Sequence, residues 1–88
     1  MTATSAMQDW CKIVGTNVRA LRIAKGLTQE QLAFEADLDL TYVGGIERGK
    51  RNPSLLVIAR LSKALGIPPG ELLRVCQGSV LKTNPTSS

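Results

Sequence analysis

Apolar residues recur at spacings of three and four near the start of the chain, where Cys11, Val14, Val18 and Leu21 fall on one face of a helix. Lys25 and Gly26 follow, a cation suited to the negative end of a helix dipole and a glycine suited to the left-handed residue that closes one. The pattern restarts at Thr28-Gln29-Glu30-Gln31, which reads as a capping box: the Thr28 hydroxyl accepts from the Gln31 amide, and the Gln31 side chain reaches back to Thr28. The second helix is short, with Leu32, Ala33 and Ala36 inward, and "ADLD" breaks it. Asp39 then caps a third helix beginning at Leu40, with Val43 and Ile46 inward; Gly49 stops it and "KRNP" forms a loop. Ser54 caps a fourth, "LLVIARLSKAL", which ends at Gly66 and whose inward stripe is Leu55, Ile58, Ser62 and Leu65. "IPPGELLRV" reads as a short fifth helix with proline in its first turn, where a missing amide costs nothing. Residues 1–8 and 82–88 are small and polar and read as frayed ends. The pattern predicts an all-α fold of five short helices in one domain.

Composition narrows this picture. Eighty-eight residues suit a single core, and the only aromatic residues are Trp10, Phe34 and Tyr42, so aliphatic side chains must fill it. No apolar run approaches the ~20 residues of a membrane span, and the N-terminus lacks the basic start and apolar stretch of an export signal. Cys11 and Cys76 are the only cysteines and histidine is absent, which makes neither a disulfide framework nor a zinc site. A reducing cytoplasm is expected, with no metal and no cofactor. Lack of histidine also removes the commonest general base. Eleven basic against seven acidic side chains leave a net charge of +4, which favours an anionic partner such as nucleic acid or a membrane surface.

The segment "VGGIERGKR", residues 43–51, admits three readings. It contains G-x-x-x-x-G-K, but Arg51 stands where a phosphate loop needs Ser or Thr for magnesium, and Pro53 prevents Lys50 from opening a helix. A hairpin turning at Gly44-Gly45 would have only one apolar residue in its second arm and no third strand to pair with. The third reading puts both glycines inside the second of two helices joined by a tight turn, a helix-turn-helix over residues 28–48. Glycine inside a helix costs ~1 kcal/mol relative to alanine, so the pair needs a reason; close approach of the backbone to DNA or another helix supplies one.

"GLTQEQLA", "IERGKRNPS" and "LSKALGI", in this order and separation, resemble the phage-repressor and Cro-like helix-turn-helix family of bacterial regulators over residues 14–74. The resemblance implies a lambda-repressor-like DNA-binding core at about residues 12–75. Within the family the chain is most similar to the controller proteins of restriction–modification systems. Such proteins often carry arginine where this chain has Leu40, so guanine reading from that position is lost.

Double-stranded DNA is the partner this implies. Base-reading candidates are Asp39, Leu40, Thr41, Gly44 and Gly45, with Thr41 able to bond a base edge or touch a thymine methyl. With few long side chains there, DNA shape is expected to carry much of the specificity. Phosphate-binding candidates are Arg19, Thr28, Gln29, Tyr42, Arg48, Lys50, Arg51 and Asn52. For Asp39 the plainer role is a helix cap, and for Tyr42 packing against a neighbouring helix. The resemblance makes Arg22 and Glu47 a partly buried ion pair between the first and third helices.

A homodimer on a palindromic operator is the functional expectation, with Val57, Leu61, Ala64, Leu73, Val75, Cys76, Val80 and Leu81 as its interface. Neither an enzyme activity nor a small-molecule pocket is expected. The rival reading is an antitoxin-like module whose apolar fourth helix and tail engage a different protein.

Overall fold

The computed structural model describes residues 9–75. They form α1 (Trp10–Ala24), α2 (Gln29–Ala36), α3 (Leu40–Glu47), α4 (Leu55–Leu65) and a 3-10 segment (Pro69–Leu73), with no strand among the described residues. The "LTYVGGIE" stretch is helical throughout, which disposes of both the phosphate-loop and the hairpin readings.

Each α-helix starts on a short polar side chain that accepts from an otherwise orphaned amide. Asp9 takes Lys12 N at 3.2 Å, Thr28 takes Gln31 N at 3.0 Å, Asp39 takes Thr41 N at 2.9 Å and Ser54 takes Val57 N at 3.2 Å. Gln31 Oε1 accepts from Thr28 N at 2.8 Å, completing the capping box.

Each α-helix also ends in the same way. A left-handed residue turns the chain, its amide and the next one reaching back to the carbonyls of the last turn. At the end of α3, Gly49 N donates to Ile46 O at 3.0 Å and Lys50 N to Gly45 O at 2.9 Å. Gly26 and Gly66 serve α1 and α4 alike; α2 instead uses Asp37, at φ 58°, the one non-glycine residue with positive φ among the described residues.

Val14 and Val18 of α1, Leu32, Ala33 and Ala36 of α2, Val43 and Ile46 of α3, Ile58, Leu61 and Leu65 of α4, and Leu72 make one aliphatic core. α1 lies against α3 at its closest through Gly15. A Cβ there would stand 2.9 Å from Glu47 O and nearer still to Ile46 O, so only glycine admits this approach. Asn17, half a turn on, donates to Leu72 O at 2.9 Å and Arg74 O at 2.8 Å, pinning the chain's last described turn to α1.

Two sequence expectations fail here. The fifth helix is a 3-10 segment of five residues, short enough for the tighter winding, with Glu71 N donating to Pro68 O three residues back at 3.0 Å. The inward stripe of α4 is also shifted at one edge: Ile58, Ser62 and Leu65 are buried as expected, but Leu55 is 79% exposed and Leu61 takes its place, fully buried. α2 and the 3-10 segment both pack on the Leu61 side of α4, so Leu61 belongs to the core and not to a dimer interface. Val57 and Ala64 are half-buried against that core. Leu73 and Val75 remain accessible, whereas Cys76, Val80 and Leu81 lie outside the described residues, as do both terminal stretches.

Candidate nucleic-acid interface

α1, α2 and α3 are tied together through one carboxylate. Glu47, whose side chain is 2% exposed, accepts from Arg22 Nε at 2.7 Å, from Arg22 Nη2 at 3.1 Å and from Gln29 Nε2 at 3.0 Å. Arg22 Nη1 donates in turn to Leu27 O at 2.8 Å. The planar guanidinium meets the carboxylate with two parallel bonds, the geometry in which such pairs are strongest. α1, the α1–α2 turn, α2 and α3 thus converge on Glu47, which fixes how far α3 stands out from the bundle.

α3 turns Leu40 and Thr41 outward; Leu40 is half-exposed and Thr41 exposed. Gly44 and Gly45 share that face but are buried, which corrects their assignment as base readers. Arg48 Nη1 lies 3.3 Å from where a Gly44 Cβ would be, with Gln29 Oε1 at 3.7 Å. The Arg51 stem crosses Gly45, its Cγ 2.8 Å from the corresponding point. Its guanidinium ends 6.0 Å from the centre of the Tyr42 ring. The two glycines thus seat two arginines against the outward face.

Asp39 sits at the N-terminus of α3 with one oxygen taken by its cap. Thr28 caps α2 with its hydroxyl oxygen and keeps its proton for another acceptor. Gln29 spends one amide hydrogen on Glu47 and retains the second. Tyr42 is half-buried against the core, while Arg48, Lys50, Arg51 and Asn52 are exposed where α3 gives way to the loop. Arg19 is exposed on α1, one turn before Arg22. Arg48, Lys50 and Arg51 thus crowd three exposed cations at the end of a short outward helix. Among the described residues there is no group of three metal-ligating side chains and no helix long and apolar enough to cross a membrane. Cys11 is a half-buried free thiol.

A compact helical bundle presenting a short second helix after a three-residue turn is the helix-turn-helix class of DNA-binding domain. The helix-turn-helix family model matches residues 18–72. The chain is 52% identical over 62 residues to the control protein C.BamHI of Bacillus amyloliquefaciens, covering 69% of this chain and 76% of that protein. It is 40% identical over 65 residues to the uncharacterized helix-turn-helix transcriptional regulator y4dJ of Sinorhizobium fredii, covering 74% and 84%. Among solved structures, the restriction–modification controller protein C.AhdI of Aeromonas hydrophila superposes with a TM-score of 0.69 at 55% identity, covering 70% of this chain and 94% of that one. The protein belongs to the helix-turn-helix family of transcriptional regulators.

Sequence reasoning missed Gly15, Asn17 and the bond from Gln29 to Glu47. For Gly15 a signal was present: a glycine in mid-helix needs a reason as much as the Gly44-Gly45 pair does.

Proposed function

We propose that the protein is a sequence-specific transcriptional regulator that binds a palindromic operator as a homodimer, in the manner of the restriction–modification controllers it resembles. The observation that carries this reading is the outward face of α3: Leu40 and Thr41 exposed at its start, Arg48, Lys50, Arg51 and Asn52 exposed at its end. Thr41 meets a base edge or a thymine methyl, Leu40 makes apolar contact, and the loop cations and the first turn of α2 hold phosphates. Arg51, directed toward Tyr42 by the Gly45 trough, serves the backbone at the flank of the helix. No reacting group is required.

The apolar residues that α4 leaves outward, Leu55 and Leu56 with Ala59 between them on the helical wheel, are what a second copy would cover, together with Leu73. Two copies so joined address half-sites about one DNA turn, ~34 Å, apart.

Selection of bound fragments from genomic DNA should return a palindrome, and Arg51→Ala should weaken binding to all duplexes alike while lowering the salt slope by about 1. Unchanged affinity and slope in Arg51→Ala would remove the loop from the interface. Sedimentation at micromolar concentration showing only monomer would sink the dimer.

A further inference from the structure

We propose that Arg48 reads a guanine in the major groove, seated for that task by Gly44, and is more than a grip on the DNA backbone. The proposal rests on the DNA-binding reading above. At helical spacing Arg48 stands one turn beyond Gly44 and two beyond Thr41, on the same outward face. Helical side chains lean toward the N-terminus of their helix, and Arg48 does so: its Nη1 lies over Gly44, 3.3 Å from where a Cβ would be. Gln29 flanks it. Because Glu47 holds the Gln29 amide nitrogen at 3.0 Å, the amide oxygen faces Gly44, 3.7 Å from where its Cβ would be.

No other side chain on this face can do the same. Leu40 has no polar atom, Thr41 is short, and Asp39 has an oxygen committed to its cap. Lys50 and Asn52 lie past the end of the helix, and Arg51 is drawn across Gly45 toward Tyr42. Arg48 alone places a rigid fork of donors on the outward face, the pattern that matches O6 and N7 of guanine. Gly44 acts through it as a positioning residue. A methyl group at 44 would press on Nη1 and displace the tip of the fork by a few tenths of an ångström.

The test is a panel of duplexes carrying every single base-pair change in one operator half-site, measured with wild type, Arg48→Ala, Arg48→Lys, Gly44→Ala and the Gly44→Ala/Arg48→Ala double variant, each first verified as folded by thermal melting. Arg48→Ala should lose about 5- to 150-fold of discrimination at one guanine-containing pair and leave the ranking of the others intact. Arg48→Lys should keep the salt slope yet lose the same discrimination, since it retains the charge without the fork. Gly44→Ala should relax that same position and add nothing once Arg48 is gone. Uniform weakening across the panel by Arg48→Ala, with the salt slope lowered by about 1, would make Arg48 a phosphate contact and overturn the proposal. Wild type that prefers no duplex in the panel would instead overturn the DNA-reading function itself.

Discussion

Replacing Gly15 with alanine sets helix propensity against packing, and the geometry decides the sign. In an exposed helix the change is favourable by ~1 kcal/mol, because glycine gives up more backbone freedom on folding. Here the new methyl would sit 2.9 Å from Glu47 O and closer to Ile46 O, both backbone atoms at the end of α3. Backbone cannot swing aside as a side-chain tip can, so α1 and α3 must part. Overpacking of this kind costs typically 1–3 kcal/mol, and a backbone obstacle puts it at the upper end. Subtracting the propensity gain leaves a loss of about 2 kcal/mol. In a domain of this size that lowers the melting temperature by roughly 8–16 °C.

Gly70→Ala is the matched control. Nothing lies within 4 Å of its would-be Cβ and its φ is not positive, so the same substitution should be neutral or gain up to about 1 kcal/mol through the unfolded chain. Thermal unfolding followed by circular dichroism reads both. Gly15→Ala melting at or above wild type would show that α1 does not depend on this approach.

Three further substitutions probe the remaining ties. Arg22→Ala strands the buried Glu47 carboxylate with Gln29 alone and should cost about 3–5 kcal/mol in urea titration, whereas the Arg22→Met/Glu47→Leu pair should recover most of that loss; equal loss in both would show that the charge is not what matters. Asp37→Gly relieves a left-handed aspartate at the negative end of α2 and should gain about 0.5–1 kcal/mol; an unchanged or lower melting temperature would contradict the strain. Asn17→Ala removes both bonds to Leu72 O and Arg74 O, and amide exchange at residues 71–75 should quicken ahead of global unfolding. Exchange there that stays as slow as in wild type would free Asn17 of that role.

What could be read from the sequence was local. The caps on Thr28, Asp39 and Ser54 are bonds across two or three residues, so residue type and spacing suffice to place them. The inward positions of α1, α2 and α3 were legible for the same reason, each helix having one apolar stripe. α4 does not. Leu55, Leu56, Val57 and Ile58 run together, and the stripe of Ile58, Ser62 and Leu65 can be widened to Leu55 or to Leu61 with equally good helical spacing. Only the docking of α2 and the 3-10 segment against the Leu61 side chooses between them. Gly15 and the arginines over Gly44 and Gly45 were hidden likewise, because each depends on which backbone or side chain arrives from elsewhere.

Glu47 shows why the site cannot be separated from the fold. The carboxylate that closes the α1–α3 contact through Arg22 also turns the Gln29 amide, and that amide borders the seat of Arg48. A hydrophobic pair at 22 and 47 can restore packing, since a buried ion pair is often matched in stability by apolar side chains. It cannot restore the acceptor that orients Gln29. Stability and recognition should therefore part in the Arg22→Met/Glu47→Leu variant: a domain that melts near wild type while the amide beside Arg48 has lost its fixed direction. That separation is open to measurement only because the two roles meet on one residue with almost no exposure to water.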